Sequence, residues 1–345
     1  MNTLSPIGLL LATAMSATNV LTDVFRKKAF HERQLAAATF WTRVVIALLY
    51  SGIIAYRAAI GRLPHFHDGG PLFGIATLHP RPLPTFLIYL FLDVALVTLC
   101  MWLYFRALQV SPLSVCIPFL AFTPVFLIPT GYVLLHELPS LLKSLGVILI
   151  VAGSLVMHWR QFAVSWLAPL RAIIDEKGSR YMLGVAFIFS ITNPLDKKLV
   201  LMSDAYLQAF AFSVGLCWSF FLLALLQRHD LEAALKGNIT QLTLAGACDG
   251  ISLLLQFASY NFIAVVIAVS IKRAGIIFSV FCGYLFFHER GISDKVIAAS
   301  VMFAGVLILY LPVTAPQAFA LTAVTFAAMV AALYATRHPR PVSEP

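Results

Sequence analysis

The stretch IAVVIAVSIKRAGIIFSVFCGYLFFHE, residues 263–289, decides how the chain is read. It is long enough to cross a bilayer, because about 20 apolar residues at roughly 1.5 Å each span the hydrocarbon core. Yet Lys272 and Arg273 stand side by side well inside it. A charge at mid-membrane costs roughly 3 kcal/mol on insertion scales, and such residues face a bundle interior or a polar cavity. Gly275, Ser279 and Gly283 recur every fourth residue, a stripe of small side chains that admits a second helix at close range. Lys272 lies three residues before Gly275 and shares that face. The stretch reads as an interior transmembrane helix that holds positive charge in a polar cavity. Pairing with acids solely to fix helix packing is the alternative.

Composition agrees. The chain has 345 residues, of which 60% are hydrophobic and only 11% charged, with a mean hydropathy of +0.89. A soluble domain could not cover its surface with so few charges. The apolar runs are continuous and do not alternate, which excludes a β-barrel. The net charge of +9 lies mostly in short connections, so it reflects membrane topology and not nucleic-acid binding. All five cysteines fall inside apolar runs and none forms CxxC, so no disulfide framework or zinc site is expected. The first run lacks a preceding basic region and is expected to remain as a helix.

Apolar runs over about 6–25, 35–56, 85–104, 112–135, 141–157, 181–202, 206–227, 240–262, 263–289 and 295–311 predict ten spans. Residues 317–335 have the length for an eleventh. The fourth run contains Pro112, Pro118, Pro124 and Pro129, consistent with either a broken, cavity-lining helix or a merely curved one. Asn193-Pro194 predicts local unwinding in the sixth. Residues 159–180 read as an interfacial amphipathic connector. His65-Phe66-His67-Asp68 is the one grouping with metal-ligand chemistry; no further ligands lie near it, so no metal site is expected.

The chain repeats itself. Ser16-x-Thr18-Asn19 matches Ser190-x-Thr192-Asn193, and Asp93 and Tyr104 match Asp249 and Tyr260 at identical separation. His136-Glu137 matches His288-Glu289, and Ala152-Gly153 matches Ala304-Gly305. Four matches in the same order give five spans per half, and an odd number inverts the second half in the membrane. Inverted repeats are an architecture of secondary transporters, with the substrate site near the midplane between the halves.

The segments LYFRALQVSPLSVCIPFLAFTPVFLIPTGYVLLHELPSLLKSLGVILIVAGS (103–154) and AVVIAVSIKRAGIIFSVFCGYLFFHE (264–289) resemble the two repeats of EamA transporters, in the drug/metabolite transporter superfamily. ATFWTRVVIALL, with Arg43, resembles the second helix of the first repeat. The resemblance implies an all-α polytopic membrane protein, a ten-helix bundle of two inverted five-helix repeats. It divides the chain into 1–158, the connector 159–180, 181–312 and a C-terminal extension 313–345. It also implies a carrier of small metabolites working by alternating access, without cofactors, in a bacterial inner membrane. The expected partners are a small-molecule metabolite, a coupled proton and the lipid bilayer.

The site residues expected from this reading are Lys272 and Arg273 for an anionic group on the substrate. Asp249 is expected as their partner or as proton carrier, with Asp196 as an alternative partner. Asp93 occupies the position equivalent to Asp249. Asn19, Asn193, Trp41, Arg43, Tyr104 and Tyr260 supply hydrogen bonds and stacking to a pocket. Glu137 and Glu289 are expected to fasten helix ends. No phosphate-binding Gly-Lys-Ser/Thr loop is present, so ATP-driven pumping by this chain is not expected. A membrane-embedded enzyme and a non-transporting receptor or assembly factor are the competing functions. Charge counting favours an outside N-terminus, because the connections on the side of Arg26, Lys27 and Lys28 hold more cations than those on the side of Arg57, Arg62, Arg81, Lys143, Lys197 and Lys198, whereas the resemblance implies an inside one.

Overall fold

A computed structural model describes residues 5–29, 35–62, 66–67, 82–111, 117–156, 177–227, 231–235, 239–275 and 292–310, with 316–317, 320 and 323–324. Among these, regular structure is helical throughout. The principal helices are α1 (Pro6–Ala29), α2 (Leu35–Ala59), α3 (Pro82–Val110), α4 (Thr123–Leu135) and α5 (Leu141–Val156). The second half supplies α6 (Lys177–Met202), α7 (Ala205–Leu226), α8 (Ile239–Ser259), α9 (Val265–Ala274) and α10 (Ile292–Tyr310). A 3-10 turn, Ile117–Phe122, precedes α4, and a short helix, Leu231–Leu235, precedes α8.

Five of these helices (α1, α2, α3, α7 and α8) are long and apolar enough to cross a membrane, and α4, α5 and α10 are shorter apolar helices. Leu10, Leu48, Phe91, Trp218 and Leu226 are exposed on the outer surface, where only lipid would solvate them. The protein is an integral membrane protein.

Most of its principal helix pairings follow one rule. α1 packs on α8, and α3 on α6; α4 packs on α6, and α9 on α1; α3 meets α7, and α8 meets α2. Adding five to every helix number exchanges the members of each pair. The pairs α2 with α7 and α5 with α10 map onto themselves. The first helix of each half is therefore buried against the third helix of the other, and neither half makes a bundle alone. Where α5 crosses α10 the backbones nearly touch. A Cβ on Gly146 would lie 2.9 Å from the Gly305 carbonyl oxygen, and one on Gly305 would lie 2.7 Å from that of Gly146. Only glycine permits that approach.

Prolines act differently in the two halves. In the fourth span a 3-10 turn, Ile117–Phe122, runs directly into α4; Pro124 sits in the first turn of α4, where its missing N–H is tolerated, and Pro129 lies inside it. The unwinding expected at Asn193-Pro194 does not occur, since α6 runs unbroken through Pro194. Pro194 cannot donate to the carbonyl of Ser190, four residues back. Thr130 on α4 donates its hydroxyl to that carbonyl at 2.7 Å, so a neighbouring helix supplies the bond that proline removed.

Three other expectations change. Lys143 lies in α5 and donates to the Ile308 and Leu309 carbonyls at 2.8 and 2.7 Å, closing the C-terminus of α10. Lys197 and Lys198 are buried within α6. None of the three is a loop cation. Residues 177–180 begin α6 and do not belong to a connector. The rest of the connector, most of 317–335, His65, Asp68 and residues 276–289 of the opening stretch lie outside the described residues.

Thr130→Val should destabilise the protein by about 1–3 kcal/mol, the cost of an unsatisfied buried carbonyl. In a Pro194→Ala background the same substitution should cost markedly less, because an alanine N–H at that position restores the helical donor. Thermal unfolding of the four proteins in one detergent measures the difference.

Candidate functional site

Among the described residues, the first helix of the second half carries more buried polar side chains than any other helix. Along its last two turns α6 places Asn193, Asp196, Lys197 and Lys198, each of them buried. Side chains this polar must find partners inside the bundle, and each does so on a different neighbour.

Asn193 joins a hydrogen-bonded cluster with α8 and α9. Tyr260, just beyond α8, donates its hydroxyl to Asn193 Oδ1 at 3.0 Å. Gln256 donates Nε2 to the same oxygen at 3.2 Å and to the Tyr260 hydroxyl at 2.7 Å. Lys272 completes the cluster by donating Nζ to Gln256 Oε1 at 2.7 Å. An ammonium carries three donors, and Gln256 takes one of them. Asp249, Asp196 and Asp23 all act electrostatically on Lys272.

Arg273 points to the other half. It donates Nη2 to the Thr123 hydroxyl at 3.3 Å, at the start of α4, while its Nε is buried and meets no acceptor among the described residues. Tyr104 and Asp23 lie within its electrostatic reach. Among the described residues both cations are therefore hydrogen-bonded to neutral side chains, with Asp249, Asp196 and Asp23 acting on them from further off. On the α1 side, Ser16 donates its hydroxyl to the Ile271 carbonyl at 3.1 Å, and a Cβ on Gly275 would lie 2.5 Å from that hydroxyl. That close seat presses the turn bearing Lys272 and Arg273 against α1. Asn19, one turn beyond Ser16 on the same helix face, is half-buried.

The two equivalent aspartates have different partners. Asp249 pairs with Arg43 on α2 at 3.2 Å. Asp93 is wholly buried, and its carboxyl lies within hydrogen-bonding reach of that of Asp196. Asp196 also accepts from Gln208 Nε2 of α7 at 3.3 Å. Trp41 stands apart from all these groups. Its indole donates to the Leu231 carbonyl at 2.8 Å, and its ring packs against Ala38, Leu242 and Leu235. An amphipathic indole held between an apolar cluster and a helix-end carbonyl is an interfacial anchor, not a pocket wall.

Glu137 fastens a helix end from inside the bundle. His136 takes a left-handed conformation, φ 55°, that closes α4. Glu137 then accepts from Lys197 Nζ at 2.6 Å and from the Val265 backbone N–H at 3.2 Å, capping the N-terminus of α9. Lys197 also donates to the Ile263 carbonyl at 2.9 Å. One carboxylate thus ties α4, α6 and α9 together.

Lys272, Asn193 and Tyr260 are brought into one cluster, Arg273 faces Tyr104, and Arg43 meets Asp249. Gln256, Gln208 and Thr123 escaped the sequence reading. Gln256 had a faint signal, being four residues before Tyr260 and so on its face of α8. Gln208 and Thr123 had none. Among the described residues no group of His, Cys, Asp or Glu is arranged to hold a metal.

Against known proteins, the EamA-like transporter family matches residues 6–159 and 176–311. No curated protein matches the sequence. A solved crystal structure of a protein superposes with a TM-score of 0.64, covering 88% of this chain and 94% of its own at 16% identity, a likeness of fold.

Replacing Glu137 by Gln or Lys197 by Met should each cost roughly 3 kcal/mol of stability, because each strands a charge that is taken from water. The double variant should cost less than the sum. A double-mutant cycle by thermal unfolding checks it.

Proposed function

The chain belongs to the EamA-like transporter family, and on that premise we propose that it is a secondary transporter of a small polar metabolite bearing an anionic group. The two five-helix halves, α1 to α5 and α6 to α10, alternate access to a site between them, in the cytoplasmic membrane of a bacterium. The observation that carries this reading is the pair Lys272 and Arg273, with the neutral partners Gln256 in its own half for Lys272 and Thr123 of the other half for Arg273. Neutral partners hold a cation in place without neutralising it, and leave its charge for a ligand. Arg273 Nε supports the same reading, since a buried N–H that meets no acceptor among the described residues is costly until something occupies it.

Each residue then has a task. Lys272 and Arg273 contact the anionic group. Asn193, Tyr260 and Gln256 orient Lys272 and offer hydrogen bonds to hydroxyl or amide groups beside it. Asp249 and Arg43 balance each other at the edge of the site. Glu137 and Lys197 hold α4, α6 and α9 closed on one side of it.

Untargeted metabolite profiling inside and outside cells tests the reading, comparing the native protein with Lys272→Ala and Arg273→Ala at matched membrane abundance. Loss of a charge-assisted contact, roughly 1.5–3 kcal/mol, predicts about a 10- to 100-fold fall in redistribution of an anionic metabolite. The same redistribution with all three proteins would leave transport standing and remove the two cations from the site. No redistribution with any would overturn transport.

A further inference from the structure

Apart from the cations, the bundle contains a second polar centre where α3, α6 and α7 meet. Asp93 is 0% exposed, and neither of its carboxyl oxygens meets an N–H or O–H donor among the described residues. What it meets is another carboxyl, that of Asp196, itself buried. Two carboxylates can only accept hydrogen bonds, so two carboxyls this buried and within hydrogen-bonding reach of each other are satisfied by a proton shared between them. The wider surroundings do not remove that requirement. From α7, Gln208 gives its one N–H contact to Asp196, while its own Oε1 is buried and meets no donor among the described residues. From α8 and its end, Tyr260 gives its hydroxyl hydrogen to Asn193. From α9, Lys272 acts on Asp196 electrostatically but bonds Gln256. On α6 itself, Lys197 is held by Glu137, from the end of α4, and Lys198 lies over the Tyr89 ring of α3 at 5.6 Å.

The repeat supplies an internal comparison. The equivalent acid, Asp249, has a cation at 3.2 Å, Arg43. In the register that aligns Ser16 with Ser190 and Asn19 with Asn193, Thr22 stands where the second half has Asp196. One half pairs its buried acid with a base, and the other pairs it with a second acid.

We propose that Asp93 and Asp196 form a proton-binding site that couples transport to proton movement. One proton is bound between the two carboxyls while α3 and α6 are packed as described. Its release to water leaves two adjacent carboxylates whose repulsion drives the helices apart, and its rebinding lets them close. The coupling role rests on the transporter reading; the proton site itself does not.

Infrared difference spectroscopy of the purified protein in lipid, stepped through pH without any metabolite, tests the site. A carboxylic-acid C=O band should titrate in the native protein and be lost in Asp93→Asn/Asp196→Asn; asparagine is nearly isosteric and keeps the packing. Each single variant should shift the band, so the site remains testable if the double variant does not fold. Identical native and variant spectra would overturn the proposal. So would a titration midpoint that moves when Na⁺ replaces K⁺, because the site would then hold a metal cation. In proteoliposomes with an internal pH dye, the redistributed metabolite should move protons with the native protein and none with the double variant. A band that titrates in a protein that moves no metabolite upholds the proton site and overturns the transporter. Metabolite movement without proton movement overturns the coupling.

Discussion

Buried charge is the constraint on which the bundle depends. A charge inside a membrane protein is tolerated only where neighbouring groups replace its hydration, and the cost of leaving it stranded is several kcal/mol. α6 and α9 together bring Asp196, Lys197, Lys198, Lys272 and Arg273 into the interior. Each is answered from another element: Gln208, Glu137, Tyr89, Gln256 and Thr123 respectively. Three of these contacts, to Glu137, Tyr89 and Thr123, cross between the halves, and those to Gln208 and Gln256 join consecutive helices. The bundle is therefore held by polar specificity at the centre and by close apolar packing, such as Gly146 on Gly305, nearer its edge.

The symmetry of the scaffold and the asymmetry of its chemistry are separate matters. Most principal helix pairings repeat on adding five to the helix number, so the frame is largely common to the two halves. The charges do not repeat. Asp249 has Arg43, and Asp93 has Asp196. Thr130 repairs the carbonyl that Pro194 leaves open, while the matching position in the first half is Val20 and needs no repair. The frame repeats, and the charged side chains mounted on it do not.

Much of this could be read from the sequence because apolar runs and repeated motifs depend on local order alone. The spans, the five-plus-five repeat and the interior position of Lys272 and Arg273 follow from run length, motif order and the cost of charge in lipid. Partners were harder. Lys197 and Lys198 look like cations of a loop after an Asn-Pro break; they are interior because α6 runs unbroken through Pro194, whose open Ser190 carbonyl is met by Thr130, far away in the chain. Trp41 looked like a stacking surface, but Leu231 takes its indole N–H. Gln256 joins the central cluster through contacts with Asn193 and Lys272, at 63 and 16 residues' separation, and such contacts leave no periodic trace.

The most direct measurement is a structure of the protein bound to the metabolite that it redistributes. If Lys272 and Arg273 hold the substrate, its anionic group will lie within hydrogen-bonding distance of Lys272 Nζ or Arg273 Nε, between α4 and α9. A metabolite bound elsewhere, or bound between the halves with both cations still turned to Gln256 and Thr123 alone, would contradict that assignment.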